Sequence, residues 1–231
     1  MNIIITGGTR GIGKSVTQLF AADKFNRIIV TGRKEDALES LANSTEFNNI
    51  ITFKLDLAQL ATEAIKFKQF ILSQFDSVDI IINNAGYLIS RRFSETSDSE
   101  TRAIMDVNFF APATIIRTLL PLMKPGSHII NIGSMGGFQG SSKYKGLAIY
   151  SASKAAIACL TECLAEEFND IGVKINCLAL GSVQTEMLSE AFPGYKAPIK
   201  AEEMAEFIKE FALNGNKYFN GKILPVALNN P

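Results

Sequence analysis

The sequence is poor in the residues that hold transition metals and cross-link secreted domains. It contains one histidine, His128, and three cysteines, Cys159, Cys163 and Cys177, among 231 residues. No C-x-x-C pair occurs, which argues against a zinc site of His/Cys type and against a disulfide framework. Charge of either sign is not in excess: 23 Lys and Arg balance 23 Asp and Glu. A nucleic-acid binder ordinarily carries a basic surplus, so no nucleic-acid partner is expected. The N-terminus begins Met-Asn-Ile-Ile-Ile-Thr and lacks the basic and long apolar segments of a secretory leader. No run approaches the roughly 18 consecutive apolar residues of a membrane span. These absences predict a soluble cytoplasmic protein with no membrane partner and no metal.

What the chain does have is core-forming material. Apolar residues make up 47% and charged residues 20%, enough for a substantial core. The length suits one domain spanning residues 1–231. Short β-branched runs at 3–6, 27–31, 50–55, 78–83, 128–132, 173–179 and 223–226 alternate with segments of helical period. The latter lie at 12–23, 34–42, 58–75, 98–123, 148–168 and 201–213. Runs that are apolar throughout suit strands buried on both faces. The alternation predicts an α/β fold: a Rossmann-type doubly wound parallel β-sheet flanked by helices on both faces. The stretches 135–147 and 182–200 read as loops near the site. His128 reads as an ordinary strand-edge residue. Cys159 and Cys163, with Ile157, Leu160 and Leu164 as neighbours, read as buried packing.

The first strand runs into Thr6-Gly7-Gly8-Thr9-Arg10-Gly11-Ile12-Gly13. Glycines let backbone N–H groups approach an anion, and the N-terminus of the following helix favours negative charge. Gly7, Thr9, Arg10, Gly11, Ile12 and Gly13 are therefore candidate phosphate contacts of a dinucleotide. After the second strand stands Thr31-Gly32-Arg33-Lys34. Gly32 offers no carboxylate for a ribose 2′-hydroxyl, whereas Arg33, Lys34 and Arg10 can meet a 2′-phosphate. The expectation is NADP(H) preferred over NAD(H). Tyr150 and Lys154, four residues apart on a predicted helix, share a face. An ammonium close to a phenol favours the phenolate, which an acid/base tyrosine needs near neutral pH.

The ordered set of motifs resembles the short-chain dehydrogenase/reductase family. It comprises the glycine turn, Asp56 after the third strand, Asn83-Asn84-Ala85-Gly86 after the fourth, Asn108, Gly133-Ser134, and Tyr150-x-x-x-Lys154. The resemblance implies a compact single-domain oxidoreductase that moves hydride between the cofactor and a carbonyl or alcohol. It implies that Tyr150 exchanges the proton, Lys154 lowers the tyrosine pKa and holds the nicotinamide ribose, Ser134 bonds the carbonyl oxygen, and Asn108 holds a relay water. It further implies that Asp56 and Leu57 contact the adenine, and that Asn83, Ala85 and Gly86 stabilise the sheet and border the cofactor. Alone, Asp56 would read as a helix cap and Asn83-Asn84 as a turn. Beyond the nicotinamide, the segment with Gly181, Val183 and Thr185 resembles a cofactor-contacting stretch, with Leu180 where proline is usual.

Two features depart from the family. Ser134 and Tyr150 are separated by an extra segment within 141–146, where Lys143 or Lys145 can meet an anion or simply solvent. The lid at 186–200 is short, and Tyr87, Phe138, Phe192 and Tyr195 are candidate pocket walls. Family members form homodimers or homotetramers. Phe109, Phe110, Ile115, Ile116, Leu119 and Leu120 give one helix more apolar surface than one sheet face needs, which fits burial against a partner copy or a wide interface within the chain. The partner expected is a small carbonyl or alcohol substrate. A cofactor-sensing regulatory protein on the same fold is the alternative.

Overall fold

The computed structural model describes residues 1–228. The elements in chain order are β1 (Asn2–Thr6), α1 (Gly11–Ala21), β2 (Arg27–Gly32), α2 (Glu35–Ala42), β3 (Ile50–Lys54) and α3 (Leu60–Gln74). There follow β4 (Val78–Asn83), α4 (Asp98–Met105), α5 (Ala111–Leu119), β5 (Met123–Ser134) and α6 (Ala148–Glu167). The chain continues through β6 (Lys174–Leu180), β7 (Val183–Gln184), α7 (Glu186–Ala191), β8 (Ile199–Lys200), α8 (Ala201–Asn214) and β9 (Ile223–Val226).

Seven strands pair in parallel in the order β3-β2-β1-β4-β5-β6-β9. Their side chains alternate between faces, and both faces are apolar. Ile3, Ile5, Ile28 and Val30 pack with Val16 and Phe20 of α1 and Met204 and Ile208 of α8. Ile4, Ile29 and Ile81 pack on the opposite side with Phe67 and Ile71 of α3 and Ile115 and Leu119 of α5. The predicted doubly wound sheet is what forms. The strand order reverses between β1 and β4, so their carboxyl ends diverge and leave a crevice there.

Several sequence readings are corrected. The segment 98–123 is not one regular helix: a π turn, Asp106–Phe110, separates α4 from α5, and such turns often mark functional sites. The run Asp98–Leu122 is long and apolar enough to match a membrane span by composition. Within it, however, Ile115, Ile116 and Leu119 are buried in the sheet-facing core. They are therefore not surplus surface, and Phe110, 53% exposed, is the large apolar side chain this stretch presents to solvent. Cys159 and Cys163 are exposed, because the buried face of α6 is carried by Ser153, Lys154, Ile157, Ala158, Thr161 and Ala165. The stretch 182–200 contains α7 and the small β7–β8 pair.

His128 is not an edge residue. β5 starts at Met123, so His128 sits mid-strand between Ile80 and Lys174 and is 0% exposed. Its Nδ1 lies 3.1 Å from Ala212 O and its Nε2 lies 3.0 Å from Asn176 Nδ2. That network fits the neutral tautomer with Nδ1–H donating and Nε2 accepting. Burial pulls its pKa down to about 4, against a smaller upward pull from the Ala212 carbonyl. An unfolded His128 takes up a proton near pH 6.5, and the folded one does so only near 4. Stability is therefore expected to fall between those pH values, by at most on the order of 3 kcal/mol, with no further loss from this group below 4. Urea midpoints across this window check it: the slope should be steep in the native protein and flattened in His128→Gln. Equal slopes contradict it.

Candidate active site

The crevice at the strand carboxyl ends opens into a cleft of about 1160 Å³. One wall is the turn after β1. Asn84 Nδ2 donates to Thr6 O at 3.0 Å and Gly7 O at 3.1 Å, and Ala85 N donates to Thr6 Oγ1 at 3.1 Å. Gly7 and Gly8 N donate to Thr31 O. The turn is thus bolted to β2 and β4, and glycine is required in it. Gly7 lies at φ +66, and a Cβ on Gly13 would sit 2.3 Å from Asn84 Nδ2 and 2.4 Å from Gly7 O. α1 then begins with no side-chain cap and no acidic residue in its first turn. Its leading N–H groups are left without intrahelical partners at the cleft wall.

This turn fits the pyrophosphate of a dinucleotide, since Gly7, Thr9, Arg10, Gly11, Ile12 and Gly13 all line the cleft. Arg33 and Lys34 line it at the end of β2, and both are exposed. A Cβ on Gly32 would meet Thr9 Cγ2 at 2.7 Å, so this position resists any carboxylate side chain. Arg10 Nη1 is bonded to Glu190 Oε1 of α7 at 2.7 Å, which ties the lid to the turn. Asp56 and Leu57 line the cleft, and the Asp56 carboxylate also accepts from Ala58 N at 3.1 Å. The cap reading of Asp56 is therefore realised together with its place in the cleft. Ala85, Gly86, Gly181, Val183 and Thr185 line the cleft. Leu180 ends β6 in register with Ser134 and Val226, so the strand runs through the position where proline is usual.

Asn83 is the exception among these. It is 3% exposed, and its Nδ2 donates to Asn131 Oδ1 at 2.8 Å. It braces β4 against β5, as expected, while its neighbour Asn84 reaches the cleft.

Ser134, Tyr150 and Lys154 come together in the middle of the cleft. The Ser134 hydroxyl accepts from Gly136 N at 3.1 Å and lies near enough to Tyr150 to influence its phenol. Lys154 Nζ lies 5.9 Å from the Tyr150 ring centre and donates to Ile132 O at 2.8 Å. Burial dominates the electrostatics. It pushes the Tyr150 phenol up, opposed by the neighbouring Ser134 hydroxyl, and pulls Lys154 down to about 8, opposed by a smaller upward influence of Cys177. In the protein alone burial is the largest influence on both groups, and the ammonium donates to a carbonyl. Burial also pushes the Cys177 thiol up to about 12, so it is protonated and unreactive at neutral pH.

Asn108 is placed by the π turn behind the cleft wall, 1% exposed. Its Oδ1 accepts from Tyr87 N at 2.8 Å, and its Nδ2 donates to Tyr87 O and Ser153 Oγ, both at 2.9 Å. Its Oδ1 also faces Gly86 at the cleft wall, 3.7 Å from where a Cβ there would be. Ser153, not singled out in the sequence, also donates to Tyr150 O at 2.6 Å. It joins the π turn to the helix turn that carries Tyr150, and its place between Tyr150 and Lys154 was the available signal. Of the predicted pocket walls, Tyr87, Phe192 and Tyr195 line the cleft and Phe138 does not. Lys143 Nζ folds back onto Phe138 O and Ser141 Oγ, at 2.6 and 2.7 Å.

Removing the fully buried Ser153 hydroxyl leaves Asn108 short of an acceptor. Ser153→Ala is expected to cost about 1–3 kcal/mol of stability, measured by denaturant unfolding. A change within about 0.3 kcal/mol would show the bridge contributes nothing.

Comparison with known proteins places this geometry. A family model described as short chain dehydrogenase matches residues 1–196. An uncharacterized oxidoreductase of Staphylococcus aureus (strain MRSA252) is 28% identical over 221 residues, covering 94% of this chain and 92% of the relative. A short chain dehydrogenase from Burkholderia cenocepacia J2315, solved in complex with NADP, superposes with a TM-score of 0.86 at 23% identity, covering 97% of this chain and 95% of that one. A 4-hydroxyisoleucine dehydrogenase complexed with NADH superposes with a TM-score of 0.85 at 23% identity, covering 98% and 96%. At these identities the two structures show a shared fold.

Proposed function

The chain belongs to the short-chain dehydrogenase family, and on that premise we propose that it is an NADP(H)-dependent oxidoreductase interconverting a carbonyl and an alcohol. The observation that carries this reading is the convergence of Ser134, Tyr150 and Lys154 in the cleft whose far wall is the glycine turn. A regulatory cofactor sensor has no use for that trio.

Gly7, Thr9, Arg10, Gly11, Ile12 and Gly13 would hold the pyrophosphate, and Asp56, Leu57, Ala85, Gly86, Gly181, Val183 and Thr185 would line the remaining length of the cofactor. Arg33 and Lys34 would meet the 2′-phosphate. Arg10 joins them when its Glu190 partner gives way. A nicotinamide cofactor supplies the hydride when bound. The protein's own groups manage the oxygen and its proton. Ser134 Oγ and Tyr150 Oη, which both line the cleft, offer a pair of donors for one carbonyl oxygen. Charge developing on that oxygen is stabilised by donors fixed in place beforehand. Tyr150 releases its proton as the alcohol forms and regains it in the reverse direction. Lys154, at about 8, is poised to carry charge when the phenolate appears. Asn108 supports this trio from behind through Tyr87 and Ser153.

The test is NADPH consumption against a broad panel of ketones and aldehydes, with binding of NADPH and NADH measured in parallel. NADPH is expected to bind tighter by about tenfold or more, with the advantage lost in Arg33→Ala/Lys34→Ala. Equal affinities, or tighter NADH, contradict the cofactor assignment. We extend the proposal to a homodimer or homotetramer, supported by the exposed Phe110 on the central helix. A monomer in sedimentation at micromolar protein contradicts that part.

A further inference from the structure

We infer that the catalytic side of the cleft is built for an uncharged carbonyl compound with an apolar body, and that Tyr144 and Tyr195 form its rim. The inference rests on the reading of the cleft as a carbonyl site and names the class of its substrate. It is carried by where the charges stand. The ionic side chains of the cleft, Lys154 aside, are Arg10, Arg33, Lys34, Asp56 and Glu186. The first four belong to the turns after β1, β2 and β3, and Glu186 packs on Gly11 of the glycine turn, 3.3 Å from where a Cβ there would be. All five therefore lie at the dinucleotide end.

The other end is different. A Cβ at Gly86 would stand 3.7 Å from each of Lys154 Nζ, Asn108 Oδ1 and Met187 Cε, which fixes Met187 beside the catalytic centre. Met135 follows Ser134, Leu147 precedes Tyr150 by one helical turn, and Phe192 closes the lid, and all three line the cleft. Tyr144 and Tyr195 line it too, and they are 51% and 48% exposed, as rim residues are. None of these six side chains is a carboxylate, an ammonium or a guanidinium.

The other cations near the site in sequence are engaged elsewhere or stand off the cleft. Lys143 is folded onto its own loop, and Arg91 pairs with Glu100 at 3.2 Å. Among the described residues, Arg92, Arg102, Lys145 and Lys196 do not line the cleft. Lys154 is held by Ile132 O. A carboxylate or phosphate seated here would shed its hydration and gain no partner. An apolar ring or chain against methionine, leucine and aromatic side chains is stabilised by the same burial. The lid is pinned in shape as well. Gln184 accepts from Ala197 N at 2.8 Å and donates to Ser189 Oγ at 3.0 Å, so the apolar wall is a preformed feature.

The test is calorimetric titration of the NADP-saturated protein with acetophenone and with 4-acetylbenzoate, which differ by one carboxylate. Acetophenone is expected to bind tighter by about tenfold or more. Tyr144→Lys, a change at an exposed rim position, is expected to narrow that ratio by about threefold by offering the carboxylate a cation. Equal or tighter binding of the carboxylate, no binding of either ketone, or an unchanged ratio in the variant overturns the inference. NADPH oxidation is followed separately. A protein that shows this binding preference yet turns over no carbonyl upholds the pocket and refutes the reductase reading. One that reduces both ketones and binds them equally does the reverse.

Discussion

Seven parallel strands cannot be joined by tight hairpins, so every connection crosses over and its helices cover the two faces of the sheet. The parallel run is the constraint on which the rest depends. It therefore gathers all seven carboxyl ends at one edge of the sheet. The glycine turn after β1, the Arg33 and Lys34 corner after β2, Asp56 after β3, Gly86 after β4, Ser134 at the end of β5 and Gly181 after β6 are neighbours for this reason alone. They are distant in sequence and share only a position relative to their strands. The crevice between β1 and β4, where the winding reverses, supplies the space.

The same burial that builds the sheet shapes the electrostatics at its edge. Tyr150 and Lys154 lie on the inward face of α6, where desolvation opposes charge on both. The phenol is held protonated, as a proton donor to a carbonyl must be, and the ammonium is brought down to about 8. A charge arriving near them acts in a medium that screens poorly, so small changes there shift both groups. The bonds that keep this pair in register come from behind: Lys154 to Ile132 O, Ser153 to Tyr150 O, and Asn108 to Ser153 and Tyr87.

Strand positions were legible in the sequence because β-branched apolar runs have few other uses, and the glycine turn was legible because its spacing answers a backbone demand. The Tyr150 and Lys154 pair followed from helical spacing. What failed shares one cause: burial is decided by neighbours that local sequence does not name. His128 looked like a strand edge because β5 begins five residues earlier than its apolar run suggests, through Lys124, Pro125 and Gly126. Cys159 and Cys163 looked like core because they are apolar, but α6 turns Ile157, Thr161 and Ala165 inward instead. Asn83 and Asn84 are identical in kind, yet strand alternation sends one into the sheet and the other to the cleft. The partners that position Asn108, Tyr87 and Ser153, become visible only when the π turn is in place.

That Tyr150 is the group exchanging a proton with substrate is tested most directly by Tyr150→Phe, which keeps the ring and its packing and removes only the hydroxyl. Turnover of a carbonyl found to be reduced should fall by about 10²–10⁴-fold, the usual contribution of a positioned acid, while NADPH binding is retained. Near-normal turnover in this variant would contradict the assignment and place the proton donor elsewhere in the cleft.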